Sequence, residues 1–241
     1  MPSDQEIAAA LAAVSTATLT TVLLKQGVRN AWMRGAAPLG AARGRVAGRA
    51  FTLRFIPMRE DLATPAAWSS PRSTRVAVEQ VPAGSVVVVD AMGVADAGIL
   101  GDILCARLHR RGAAALVTDG AVRDAQGVQA TGLPVWCRGA AAPAAIASLV
   151  FAGWQEPIGC GGVAVYPGDF VVADGDGAVV VPAALAEAVA GAAGEQERLE
   201  DWILEQVGQG AALPGLYPPD EANRARYEEA RRARDAPPSG R

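Results

Sequence analysis

Between residues 82 and 120 the chain reads as strand, helix, strand. PAGSVVVVDA (82 to 91) is a turn running into a short wholly apolar strand, GDILCARLHRRG (101 to 112) has helical spacing, and AAALVTDG (113 to 120) is a second apolar strand ending in a glycine turn. Such runs without alternation belong to strands covered on both faces. A strand, helix, strand unit makes the two strands parallel neighbours with a right-handed crossover. This unit restricts the chain to an α/β layered class with a partly parallel sheet.

The rest of the chain fits that class. Residues 4 to 26 read as helix, broken near Ser15 or Thr16, and closed by KQG. VAGRAFTLRFIP (46 to 57) reads as a strand, and the polar, Pro-containing REDLATPAAWSSPRS (59 to 73) as a long loop. Loops of that length in compact domains tend to be functional. PVWCRG, GGVAVYPGDFVVAD and GAVVVP supply further short strands before a helix from about residue 183 to 208. In 101 to 112, Ile103, Leu104 and Leu108 are expected on one helix face. A main domain over 1–215 is expected, followed by a charged helical tail over 216–241 that fades into disorder.

Composition removes some function classes. A net charge of −3 offers no field for nucleic acid or anionic membrane. Arg34, Arg43, Arg45, Arg49 and Arg54 lie close in sequence, yet strand alternation spreads Arg45, Arg49 and Arg54 over both faces. No apolar run approaches the roughly 18 residues of a membrane span, and the N-terminus carries early acids instead of a basic leader, so a soluble cytoplasmic protein is expected. The three cysteines, Cys105, Cys137 and Cys160, are widely spaced in apolar stretches, which suits buried thiols rather than disulfides or a zinc cluster. GCGGVA lacks the lysine and spacing of a phosphate loop and suits close backbone packing.

In parallel sheets ligands gather where strands end and helices begin. Two such junctions occur here: the entry to a helix near Gly101, and TDGAVRD (118 to 124), where a strand ends at Asp119 and Arg123 stands beside Asp124. If the two strands are neighbours, Gly101, Asp102, Ile103 and Leu104 face one crevice with Arg123 and Asp124. An arginine there binds a carboxylate, helix-start amides donate to another anionic oxygen, and an aspartate can hold Mg²⁺. Asp90 and Asp119 are read as ordering their turns, and His109, the only histidine, as a helix-end or solvent residue.

Asp102 followed after twenty residues by Arg123-Asp124, within GDILCARLHRRGAAALVTDGAVRD, resembles the signature of the RraA-like family, which includes 4-hydroxy-4-methyl-2-oxoglutarate aldolases and a regulator of ribonuclease activity. PIGCGGVAVYPGDFVVADGDGAVVVP (157 to 182) and LGAARGRVAGRAFTLRF (39 to 55) are similar to two further blocks of that family, so the resemblance spans roughly residues 10 to 215.

The resemblance implies a swivelling β/β/α fold like phosphohistidine domains, with a helical C-terminal extension, assembled as homotrimers or homohexamers that bind substrate at subunit contacts. It implies Asp124 as ligand to Mg²⁺ or Mn²⁺, Arg123 as the substrate-binding and charge-stabilising residue, and Gly101 to Leu104 as the cradle of a 2-oxo acid. Asp102 becomes an acid that orients a water for proton relay, and Glu200, or its neighbour Glu197, the acid supplied by another subunit. The implied reaction is metal-dependent retro-aldol cleavage of a 4-hydroxy-2-oxo acid to pyruvate, with oxaloacetate decarboxylation as side activity.

A retro-aldol step needs an electron sink, either a lysine Schiff base or a divalent metal. The single lysine, Lys25, lies in the N-terminal helical region, far in sequence from the crevice, which favours the metal. The alternatives are a non-catalytic regulator that binds a ribonuclease and a metal-dependent enzyme acting on a sugar-derived 2-oxo acid. The loop at 59 to 73 and the charged tail mark a longer branch of the family, and either can reshape the pocket mouth.

Overall fold

The computed structural model describes residues 2–41 and 44–235, so Arg43 and the tail beyond Asp235 lie outside the described residues. The chain divides into two compact units, Met1–Ala193 and Gly194–Arg241, earlier in the chain than the boundary expected after residue 215.

The strands of the first unit are β1 (Ala37–Pro38), β2 (Val46–Pro57), β3 (Val86–Asp90), β4 (Ala115–Thr118), β5 (Ala121–Val122) and β6 (Val135–Cys137). They continue with β7 (Gly139–Ala140), β8 (Leu149–Trp154), β9 (Ile158–Cys160), β10 (Val163–Val165), β11 (Phe170–Asp174) and β12 (Gly177–Val181). The helices are α1 (Asp4–Ala12), α2 (Thr16–Lys25), α3 (Thr74–Val78), α4 (Asp102–Arg110), α5 (Ala125–Ala130) and α6 (Ala186–Gly208), the last of which crosses into the second unit.

Strands β2, β3, β4 and β6 are parallel neighbours, and α3, α4 and α5 lie in the three connections between them. All five residues of β3 and all four of β4 are buried, as their unbroken apolar runs predict. Beneath the crossover helices, one core gathers Leu53, Phe55, Val87, Val89, Leu108 and Leu116. Val86, Val88, Val117 and Trp136 point to the other face, against residues of β9 to β12. A third core joins β11 and β12 to α1, α2 and the start of α6 through Leu11, Leu19, Leu23, Phe170 and Val189.

The long strand β2 holds these layers together. Its first residues pair antiparallel with β11, its middle pairs parallel with β3, and its end pairs antiparallel with β8. The unit is therefore a mixed α/β fold built around a large curled sheet.

The helix break expected near Ser15 is present. Ser15 caps α2 by accepting from Thr18 N, and Ser3 with Glu6 forms a capping box on α1. Thr16 donates through both its backbone N and Oγ1 to Asp174, at 2.8 and 2.7 Å. Among the described residues no single helix is long and apolar enough to cross a membrane. The basic residues are dispersed: Arg49 pairs with Asp4, Arg54 approaches Glu156, and Arg45 donates to Ala13 O.

One helix-face expectation fails. Leu108 and Cys105 are buried and Leu104 partly so, but Ile103 is 80% exposed. At about 100° per residue, positions 104, 105 and 108 form one stripe and position 103 falls outside it.

In the second unit, the Gly194–Gly208 part of α6 and α7 (Glu221–Asp235) share a small core of Trp202, Ile203, Leu216 and Tyr227. Tyr227 donates to Glu195, and Arg226 lies over the Trp202 ring. The charged tail is thus a helix with an apolar seam up to Asp235.

Candidate functional site

After β3 the chain does not enter α4 at once. Residues 98 to 100 run beside β5 and are tied to the segment after β4: Ile99 N donates to Ala121 O at 2.9 Å, and Arg123 N to Leu100 O at 2.8 Å. These bonds set the start of α4 against Arg123 and Asp124, the juxtaposition that neighbouring strands required.

Glycines permit the approach. A Cβ on Gly98 would lie 2.2 Å from Arg123 Cγ and 2.6 Å from Arg123 N, so the arginine stem occupies the place of a side chain. A Cβ on Gly101 would lie 2.9 Å from Asp124 Oδ2, and one on Gly127 would lie 2.9 Å from Asp102 Oδ2. Each aspartate therefore rests on the helix start opposite its own: Asp124 on α4 and Asp102 on α5.

Asp124 is left-handed at φ 52°, a region where aspartate is tolerated better than most residues. It stands at the N-cap position of α5, yet its side chain makes no capping bond. Gly101 gives α4 no side-chain cap either, while Asp102 Oδ1 accepts from Ile103 N. Arg123 Nε is buried without a hydrogen-bond partner among the described residues. A buried donor left unmatched is costly in a folded protein and suits a ligand-facing group.

Gly101, Asp102, Ile103, Leu104, Arg123 and Asp124 all line one cleft of about 770 Å³. The cleft is also lined by the 59–73 loop and β8, with Leu62, Trp68 and Phe151. The loop expected at 59 to 73 contains a short turn of 3₁₀ helix, Pro65–Ser69, that carries Trp68. Gly98 and the β8 residues were not expected in the site. The glycine's signal was its place in GVADAGILGD, three residues before the helix start, whereas β8 had none.

Other candidates fall elsewhere. Asp119 accepts from Ala91 N, Gly93 N and Gly161 N, and Asp90 from Met92 N and Gly159 N, so both fasten loops. His109 is exposed near the end of α4. Lys25 ends α2 and is not among the cleft residues. Gly161 of GCGGVA packs against Arg34, whose backbone N would be 2.5 Å from an added Cβ. Glu197 and Glu200 are in the second unit, and Glu200 accepts from Gln196. All three cysteines are buried and free, and burial, followed by the nearby Asp102 charge, pushes the Cys105 thiol up to about 12.

Among the described residues no group of three or more histidine, cysteine, aspartate or glutamate side chains is arranged to hold a metal. Asp102 and Asp124 nonetheless suit a hard ion that keeps most of its waters, as magnesium does with one or two carboxylates.

The family model described as Aldolase/RraA, of the RraA-like proteins, matches residues 12–180, the part of the chain that builds this cleft. The chain belongs to the RraA-like family. A relative from Halalkalibacterium halodurans, named "Putative 4-hydroxy-4-methyl-2-oxoglutarate aldolase", is 38% identical over 106 residues, which cover 44% of this chain and 50% of that protein. The chain thus spans about half the length of that relative. Among solved RraA-like structures, the Streptomyces coelicolor protein described as an unusual member of the RNase ES inhibitor RraA protein family is 38% identical. It aligns with a TM-score of 0.74 over 84% of this chain and 97% of its own. A Pseudomonas syringae protein is 29% identical with a TM-score of 0.77, over 90% of this chain and 95% of that one.

Proposed function

We propose that this chain is a divalent-metal-dependent lyase that cleaves 4-hydroxy-2-oxo acids to pyruvate and a second carbonyl compound, with oxaloacetate decarboxylation as a side activity. The observation that carries the reading is the unpartnered Arg123 Nε, held beside Asp124, Asp102 and the uncapped start of α4 in one cleft. The names of the aldolase relatives support it.

Arg123 donates to the substrate's carboxylate or C2 oxygen and stabilises the negative charge that develops there as the C3–C4 bond breaks. Gly98 leaves space for the arginine stem, so the guanidinium is positioned before substrate arrives. Of the first amides of α4, Ile103 N is already taken by Asp102 Oδ1, so those of Asp102 and Leu104 would meet the remaining carboxylate oxygen. Asp124, with Asp102 beside it, would hold Mg²⁺ or Mn²⁺, which when bound supplies the Lewis-acid sink for the enolate charge. Asp102 takes up the C4 hydroxyl proton by way of a water. In a homotrimer or homohexamer, Glu200 is the acid that a second copy would add to this site.

Pyruvate release from 4-hydroxy-4-methyl-2-oxoglutarate and from oxaloacetate, with Mg²⁺, with Mn²⁺ and with EDTA, tests the reading. Metal-dependent pyruvate suppressed by EDTA is the expected result. No pyruvate with either metal would move the weight to inhibition of a ribonuclease by protein contact, the reading favoured by the kinship with the Streptomyces protein.

A further inference from the structure

The cleft is far larger than the group its polar residues grip. Arg123, Asp124, Asp102 and the start of α4 form one wall, whereas Leu62, Trp68, Ile146 and Phe151 contribute apolar surface from the loop, the segment before β8 and β8 itself. Trp68 and Leu62 are 39% and 42% exposed, and Ile103, on the rim of the polar wall, is 80% exposed. These are large apolar groups turned toward a space that already has a polar anchor.

Two more arginines line the cleft, and a second substrate carboxylate would look to them. Both are already engaged. Arg75 lies over the Trp68 ring at 5.3 Å and donates to Trp68 O, while Arg72 donates to Ala152 O and approaches Glu156 at 3.8 Å. They brace the loop and β8. Arg123, with its unmatched buried Nε, stands apart from them. Arg123 is therefore the cleft arginine with a donor that the described residues leave unmatched, and the rest of the lining is largely apolar.

We infer that the preferred ligand is a 2-oxo acid with a single carboxylate and a bulky apolar group at the far end, seated against Trp68, and that Trp68 determines this specificity. The reaction assigned to it rests on the lyase reading above, but the binding preference does not. Cleavage of R–CH(OH)–CH₂–CO–COO⁻ breaks C3–C4. The C4 hydroxyl proton goes to a base, the C3–C4 electron pair passes into the C2 carbonyl as an enolate, and C3 regains a proton from water. The products are R–CHO and pyruvate, with R apolar.

Binding is measured first, by calorimetric titration of the full chain, in Mg²⁺, with phenylpyruvate and with 2-oxoglutarate. Phenylpyruvate is expected to bind about tenfold more tightly, a preference of the size that apolar pocket contacts provide. Trp68→Ala should bring the ratio of the two affinities close to unity, and Trp68→Phe should keep most of it. Equal or tighter binding of 2-oxoglutarate, or a ratio indifferent to both substitutions, overturns the inference.

Pyruvate release from 4-hydroxy-2-oxo-4-phenylbutanoate and from 4-hydroxy-4-methyl-2-oxoglutarate then separates the two claims. Pyruvate chiefly from the dicarboxylate keeps the lyase and rejects the apolar subsite. The binding preference without pyruvate from either compound keeps the subsite and rejects the lyase.

Discussion

Asp119 follows β4 and Asp124 lies five residues later, just beyond β5, and the protein uses them in opposite ways. Asp119 is 4% exposed and accepts from three backbone N–H groups that belong to the loops after β3 and β9. Asp124 is exposed, left-handed and makes no cap, and its Oδ2 lies above the glycine that begins α4. Both stand where a parallel sheet is expected to bind ligands. What separates them is whether the protein's own amides have taken up the carboxylate's lone pairs.

The contrast is sharpest in paired substitutions. Asp124→Ala should lower lyase turnover by roughly a thousandfold, the scale on which loss of a charge-stabilising group acts, while thermal stability changes by about 1 kcal/mol or less. Asp119→Ala should do the reverse. Three backbone donors, two of them buried, lose their acceptor, and stability should fall by about 3 kcal/mol, with turnover per folded molecule within about threefold of wild type. Denaturant melts with parallel pyruvate assays check both, and exchanged outcomes would break the comparison.

A smaller effect on both readouts is expected from Gly98→Ala. The new methyl meets the Arg123 stem, so stability should drop by about 2 kcal/mol and turnover with it. Unchanged turnover in this variant would mean that the arginine's seat is not needed. The smallest effect belongs to Lys25→Ala, expected to leave pyruvate release within about twofold, as surface substitutions generally do. Loss of activity there with the fold intact would sink the metal route in favour of a Schiff base.

Much of this architecture was legible in the sequence because it rests on local patterns. The unbroken runs VVVVD and ALVT fix covered parallel strands, and Ser15 marks a helix start. From the neighbouring strands alone, Gly101 to Leu104 could be placed opposite Arg123 and Asp124. Features decided by distant partners were hidden. Nothing local in VAGRAFTLRFIP shows that one strand pairs with three partners in turn, or that Gly98 yields its side-chain space to an arginine 25 residues later. Ile103 was misplaced because a nine-residue helix gives little periodicity from which to choose the buried stripe. The loop at 59 to 73 could be recognised as unusual, but its partner β8 carries no motif.

The long strand β2 also constrains how the protein can be made. Residues Val46–Arg49 find their partners only in Phe170–Ala173, and Thr16 is anchored by Asp174. A ribosome delivering the chain from its N-terminus thus leaves one end of β2 unpaired, and α1 and α2 without their core, until residues 170 to 174 have emerged. The α1 and α2 layer must close late, and a nascent chain halted before residue 170 should offer that bare strand end to chaperones.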